Sequence, residues 1–284
     1  MSTELVRWRI DLAYDGAAFS GWAVQPGLRT VEGELSGWIG RVLRLDELPT
    51  LTCAGRTDSG VHARGQVVHV DLAPISEASR DGSIDVGELL TRRLSRALPD
   101  DLVVHRVTRA PEGFDARFSA IWRRYVYRLW DSRDSRDPLR RHHVVAHPEP
   151  LDVPLLAAAG QDLLGLHDFA AFCRRRDGAT TIRTLQQVDP VRLGDGTLEV
   201  TVRADAFCHS MVRSLMGGLV AVASGRRDRD WLRGLLTLGG RAGDITVMPP
   251  HGLTLEEVGY PSDGELAARA RDARTTRTLP EVDA

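Results

Sequence analysis

Lysine is absent: all 37 basic residues of this 284-residue chain are arginine. That removes Schiff-base chemistry through a lysine amine and the phosphate-cradling loop that ends in Gly-Lys-Ser/Thr. Kinase-like and lysine-dependent aldolase-like activities go with them. Cysteine is scarce. Cys53, Cys173 and Cys208 lie far apart without Cys-x-x-Cys spacing, which argues against a disulfide framework or a cysteine-rich zinc site and fits a reducing compartment. Long apolar runs are missing as well. The longest weakly polar stretch, 214–224, is too short to span a bilayer, and charges from Glu4 onward interrupt any signal-peptide core. The expectation is a cytoplasmic protein without membrane contact. A content of 42% hydrophobic and 27% charged residues fits a globular chain of one large domain or two ordinary ones.

The net charge of −2 hides an uneven distribution, and distribution matters more than the sum for a nucleic-acid partner. Arg106, Arg109, Arg117, Arg123, Arg124 and Arg128 face only Glu112 and Asp115 over 102–128, and Arg174, Arg175, Arg176 and Arg183 form a second basic group. The stretch 71–101 is acidic on balance.

Periodicity orders the elements. Residues 5–13 alternate Val6, Trp8, Ile10 and Leu12 with polar neighbours, as a half-buried strand does. Thr30 can cap a helix whose apolar face is Val31, Leu35, Trp38-Ile39 and Val42-Leu43. Strands are expected at 51–54, 66–72 and 102–107, with a helix at 85–98 stopped by Pro99. This order, β-α-β-β-α-β, is the ferredoxin-like unit. The second half repeats it: strands at 118–130, 184–193, 197–204 and 253–258, and helices at 153–164, 209–223 and 228–238. The fold class is α+β, built of two ferredoxin-like units with a cleft between them. The expected division is an N-terminal domain over 1–111, a C-terminal domain over 112–262 and a loose polar tail over 263–284.

The chemistry is concentrated in Cys53–Val70. Gly55, Arg56, Asp58, Gly60 and His62 form a short loop between apolar runs, and glycine permits a tight turn with Asp58 near its tip. The alternative is that Asp58 only hydrogen-bonds its own turn. Arg213 lies inside an apolar helix, where a guanidinium needs a partner. That partner is either a structural carboxylate or helix-end carbonyl, or Asp58 itself, which the pairing would keep ionised. Tyr125 and Tyr127 share one strand face beside several arginines; most such tyrosines are core or sheet-surface residues, and the combination is also how a protein holds an unstacked base. His142, His143 and His147 lack carboxylates at ligand spacing, and no metal is assigned.

The run Gly55-Arg56-Thr57-Asp58-Ser59-Gly60-Val61-His62-Ala63 resembles the signature of the TruA family, the bacterial tRNA pseudouridine(38–40) synthases. The resemblance continues through Tyr14-Asp15-Gly16, Gly21-Trp22, Thr30-Val31-Glu32-Gly33 and Gln66-Val67-Val68-His69. It resumes at Phe114-Asp115-Ala116-Arg117-Phe118-Ser119-Ala120 and Arg124-Tyr125-Val126-Tyr127. His167-Asp168-Phe169, 207–213 and Pro249-Pro250-His251-Gly252-Leu253 complete it. The resemblance implies a pseudouridine-synthase fold and an isomerase that needs no cofactor. Such an enzyme breaks the N1–C1′ bond of a uridine in the tRNA anticodon stem-loop, rotates the base and rejoins it through C5. By position, Asp58 would be the catalytic aspartate, Tyr125 the stacking residue, Arg213 the partner of Asp58 and Leu253 a wall of the base pocket. Arg56 would hold the RNA. Phe114, Asp115, Ala116, Arg117 and Phe118, with Asp168, Phe169 and Phe172, match segments along the RNA path. The family works as a homodimer. Two departures stand out: 207–214 reads Phe-Cys-His-Ser-Met-Val-Arg-Ser where the family has Phe-Leu-(Tyr/His)-x-Met-Val-Arg-Asn, and Val24 stands where a polar residue is common.

Two other classes fit parts of the sequence. A non-catalytic RNA-binding protein of two ferredoxin-like modules would not require an acid with the companions of Asp58. Glycoside hydrolysis ordinarily requires two carboxylates, and one persuasive acid is present.

Overall fold

The computed structural model describes residues 5–75, 85–174 and 180–275. In chain order the strands and helices are β1 Val6–Tyr14, α1 Val31–Leu43, β2 Leu51–Cys53, β3 His62–Leu72, α2 Val86–Ala97, β4 Leu102–Arg109, β5 Trp122–Trp130, β6 Val145–Ala146, α3 Val153–Gln161, β7 Gly165–Asp168, β8 Ile182–Arg192, β9 Leu198–Ala204, α4 Met211–Ala223, α5 Arg229–Gly234, β10 Leu253–Gly259 and α6 Leu266–Asp272. They divide into two compact units: Met1–Ile121 with Leu255–Arg274, and Trp122–Thr254 with Thr275–Ala284. Both are mixed α+β, with open sheet. No helix among the described residues is long and apolar enough to cross a membrane.

In the first unit the sheet order is β4-β1-β3-β10, with β2 also on β3. β1 runs antiparallel to β3, from Val6 opposite Leu72 to Tyr14 opposite Ala63, and antiparallel to β4. Alternation along β1 buries Trp8, Ile10, Leu12 and Tyr14. Both helices start where capping chemistry allows. The Thr30 hydroxyl accepts from the Gly33 N–H, with Glu32 and Glu34 in the first turn, and the Asp85 carboxylate accepts from the N–H groups of Gly87 and Glu88. Each cap satisfies orphan donors and offers negative charge to the helix N-terminus. Leu35, Ile39, Leu90 and Leu94 then pack into the core.

The second unit has the order β5-β9-β8-β7. β5 pairs antiparallel with β9, Tyr125 opposite Val202, and β6 adds a short parallel pair at Leu129–Val145. Pro190 of β8 lies opposite Val200 of β9 and beyond the residues that β7 covers, 182–185, so its absent N–H removes no bond to β7.

The structure departs from the sequence reading at several points. β7 is an additional strand, four residues long, which periodicity does not reveal. β5 begins at Trp122, not 118, because residues 115–119 turn around the Asp115 carboxylate, which accepts from the N–H groups of Arg117 and Phe118. The 228–238 helix is Arg229–Gly234 followed by a 3₁₀ turn, Leu235–Thr237. Residues 112–121 and 255–274 belong to the first unit, so its boundary falls at 121. Its seams are Tyr260 donating to the Ala116 carbonyl (2.7 Å), Ser119 to that of Leu266 (3.1 Å) and Arg274 pairing with Asp115 (3.2 Å). The loose-tail expectation is corrected over 263–275. A capping box between Ser262 and Glu265 starts a 3₁₀ turn, Asp263–Glu265, that runs into α6, which buries Leu266 and Ala270; this apolar pair, too short to read as a pattern, anchors the helix. The rest of that tail, 276–284, lies outside the described residues. Cys173 and Cys208 are joined as a disulfide, with Cα atoms 5.8 Å apart. Their separation of 35 residues gave no sign of this, because the β8–β9 hairpin between them brings its ends together.

Candidate active site

The Asp58 loop, 54–61, leaves β2 and returns into β3, and neighbouring chain holds it at many points. The Ala54 N–H donates to the Val67 carbonyl (2.8 Å), Trp22 N–H to Thr57 (3.0 Å) and Gly60 N–H to Phe19 (3.3 Å), while Val61 N–H closes a turn on the Asp58 carbonyl (3.1 Å). Gly60 takes φ +77°, a left-handed conformation that glycine adopts without strain. Side chains add to this: the Tyr14 hydroxyl meets Thr57 Oγ1 at 2.8 Å, and Gln66 Nε2 donates to the Gly55 carbonyl at 2.8 Å. Gly16 is packed so closely that a Cβ there would fall 2.1 Å from the Val61 carbonyl oxygen. The Gly16 N–H donates to His62 Nδ1 (3.0 Å). The family-like segments at 14–16, 21–22 and 66–69 are thus the frame of this loop. On it Asp58 is half-buried and Arg56 is exposed. Cys53, at its entrance, is buried, and burial pushes its thiol up to about 12 against the pull of Arg56. A thiol so hard to ionise is a poor nucleophile.

Tyr125, Arg213 and Leu253 belong to the second unit, and the structure gathers their supports there. Tyr125 is 6% exposed, with the Phe207 ring edge-on at 5.2 Å. Arg213 stands in the first turn of α4. Its Nε donates to the Met248 carbonyl (2.8 Å), and the Met248 N–H donates back to the Arg213 carbonyl (3.1 Å). Tyr127 is fully buried, and its hydroxyl donates to the Pro249 carbonyl at 2.7 Å. Burial holds this phenol well above the usual tyrosine range, with the charge of Arg213 pulling the other way. It therefore stays protonated, as a donor must. A 3₁₀ turn, Pro250–Gly252, leads to Leu253, which is buried at the head of β10.

The segments matched to an RNA path divide by burial. Phe114, Ala116, Phe169 and Phe172 are core residues, each at most 1% exposed. Phe114 packs against Tyr260 (5.1 Å) and Phe169 against Phe172 (6.1 Å). Asp115 is buried and holds its own turn. Asp168 accepts from the Ala170 N–H and from Thr181 Oγ1. Arg117 is exposed, with its guanidinium over the half-buried Phe118 ring at 5.0 Å; Arg274 stacks on the same ring at 4.6 Å. Within the arginine cluster, Arg106 pairs with Asp11 and Arg128 with Glu199, while Arg123 donates to the Asp205 carbonyl. Arg175 and Arg176 lie outside the described residues. His147 is buried, with Nδ1 2.8 Å from the Glu149 carbonyl. Sequence reading placed Tyr127 beside Tyr125 on one strand face without giving it a role of its own, and passed over Met248 and Arg274.

Residues 159–261 match a family model described as tRNA pseudouridine synthase. The chain is 60% identical over 280 residues to the tRNA pseudouridine synthase A of Cutibacterium acnes, an alignment that covers 98% of this chain and 97% of that protein. It is 54% identical to the Streptomyces avermitilis protein of the same name, over 97% and 95% of the two chains, and 49% identical to that of Mycobacterium leprae, over 97% of each.

Proposed function

The chain belongs to the tRNA pseudouridine synthase A family, enzymes that isomerise uridine to pseudouridine, and on that premise we propose that it modifies uridines 38, 39 and 40 of the tRNA anticodon stem-loop with Asp58 as its catalytic carboxylate. The observation that carries the assignment of Asp58 is its position: half-buried, on a loop fastened through main-chain groups of the flanking strands and of residues 14–22. Such fastening keeps a reacting group in place without reorganisation during the reaction.

The reaction conserves atoms. The N1–C1′ bond breaks, the base turns, C5 bonds to C1′, the proton leaves C5 and N1 ends protonated. No oxidant, reductant or co-substrate is consumed. In this reading Asp58 acts on the nucleotide as its glycosidic bond breaks, and Arg213 is the cationic residue that the family-like segment 207–213 contributes to the reaction. Tyr125 stacks on the uracil and takes the C5 proton, and Leu253 walls the pocket. Turning a base out of its stack costs a few kcal/mol, and stacking on an aromatic ring returns about 1–3 kcal/mol. Arginine–phosphate contacts supply the remainder and make binding weaken as salt rises. In this reading Arg56, Arg117, Phe118 and Asp168, which are exposed or half-buried, face the RNA, while the buried Phe114, Asp115, Ala116, Phe169 and Phe172 shape the segments beneath. Each unit is read as ferredoxin-like, supported in the first by antiparallel pairing of β4, β1, β3 and β2. A second copy of this chain is the expected partner besides tRNA, in the cytoplasm.

Tritium release from [5-³H]uridine-labelled tRNA tests the reading. Wild type releases tritium, and Asp58→Ala falls by at least about 10³-fold, the scale of losing a principal catalytic group. Comparable turnover by the alanine variant would sink the assignment. Binding of tRNA without turnover by wild type would favour a binding module. Transcripts with uridine at one of the three positions assign the targets.

A further inference from the structure

We propose that Tyr127 is a positioning residue for the isomerisation: its buried hydroxyl, latched to the Pro249 carbonyl, sets the 248–253 segment on which Arg213 and Leu253 depend. The inference rests on the reading of Arg213 given above. A phenylalanine would fill the same volume in this core, so packing alone does not account for the hydroxyl. What the hydroxyl does is specific. It donates at 2.7 Å to Pro249, the residue next to Met248, whose carbonyl receives Arg213 Nε and whose N–H returns to the Arg213 carbonyl. The guanidinium is therefore oriented by a carbonyl one residue from the latch.

The ring grips the other end of the same segment. Gly252 lies against it so closely that a Cβ there would come 2.9 Å from Tyr127 Cζ and 3.0 Å from the Arg128 carbonyl oxygen. One phenol thus meets residue 249 through its oxygen and residue 252 through its ring. The intervening turn begins with two consecutive prolines, Pro249 and Pro250, whose fixed φ angles limit how a displacement at either end can be absorbed. Leu253 follows directly. Loss of the hydroxyl removes the one donor that the Tyr127 side chain offers the Pro249 carbonyl and frees the strap to shift, and with it the Arg213 side chain.

The test is a double-mutant cycle on Tyr127→Phe and Arg213→Lys, read as the single-turnover rate of tritium release together with the Kd for tRNA. Tyr127→Phe is expected to slow the chemical step about 10-fold and leave tRNA affinity within about twofold, as a small misplacement of a reacting group does. The double variant should be no more than about twofold slower than Arg213→Lys alone, because both changes act on the same guanidinium. An unchanged rate in Tyr127→Phe, or rates that multiply while Arg213→Lys is itself slow, overturns the proposal and leaves the Arg213 reading intact. A near-wild-type Arg213→Lys overturns both. Should Tyr127→Phe fail to fold, Gly252→Ala presses on the same ring and enters the cycle with the same expectations.

Discussion

The Asp58 loop of the first unit and the Arg213 turn of the second are fastened by different kinds of bond. Around Asp58 the ties are largely main chain to main chain: Trp22 to Thr57, Gly60 to Phe19, Val61 to Asp58 and Ala54 to Val67. Around Arg213 one tie is main chain, the Met248 N–H to the Arg213 carbonyl, and the others run from side chains to carbonyls, through the Arg213 guanidinium and the Tyr127 hydroxyl. The strand that carries Tyr125 and Tyr127 ends in the same style. Asp131, next after β5, accepts from the Leu151 N–H at 2.9 Å and forms a two-pronged pair with Arg192 at 2.7 Å. A main-chain fastening is indifferent to most substitutions and vulnerable where a new Cβ would intrude. A side-chain fastening is vulnerable at single polar atoms. The first unit should therefore break at a glycine, and the second at a carboxylate or a hydroxyl.

Gly16→Ala probes the first half of that contrast. With its Cβ 2.1 Å from the Val61 carbonyl oxygen, the 58–61 turn must move, and about 10²-fold in turnover is expected to be lost. Tritium release beside a thermal melt separates displacement of the loop from unfolding; turnover near wild type would break the contrast.

Asp131→Ala probes the second half and should lower unfolding free energy at pH 7 by about 2–3 kcal/mol, the scale of a mostly buried charge-assisted network. Its pH dependence has a definite sign. Burial acts to raise the Asp131 carboxyl, yet the Arg192 guanidinium and the Leu151 N–H hold it below its ordinary value. A depressed native pKa contributes stability above the unfolded pKa of about 4, and that stability is lost as pH falls through the native value. The gap between wild type and variant in urea unfolding should thus close from pH 7 toward pH 2; a constant gap would show that the charge is not the tie. Asp101 and Asp71, depressed by hydrogen bonds from Arg29 and Arg7, move the first unit in the same direction. Tyr14→Phe is the mildest change. It removes the 2.8 Å contact with Thr57 and should cost ~1 kcal/mol by urea unfolding, with turnover nearly kept because the main-chain ties remain.

What was legible in the sequence follows from range. β1, α1 and α2 are written locally, in alternation, in the Thr30 cap and in Pro99 beyond α2. The Asp58 loop was legible because its glycines and acid sit within six residues, and Gly60 does take the left-handed conformation. The assignment of 112–121 and 255–274 to the first unit was not legible. It depends on pairs such as Ala116–Tyr260, which are 144 residues apart and leave no periodic trace. Nor could the rings of Phe114, Phe169 and Phe172 be sorted into core or surface, because a loop aromatic looks the same in either place. The latch between Tyr127 and Pro249 spans 122 residues and was hidden for the same reason.

The return of 255–274 to the first unit also sets a schedule for synthesis. As the chain emerges from the ribosome, the second unit's body is finished at residue 254, whereas the first, begun earlier, still lacks a strand, Tyr260, α6 and Arg274. The first unit is begun before the second, and its remaining residues, 255–274, are made only after residue 254. The ring of Phe114 and the turn at Asp115 wait for Tyr260 and Arg274, which are translated roughly 150 residues later, so the nascent first unit carries an unfinished apolar edge until those residues have been added.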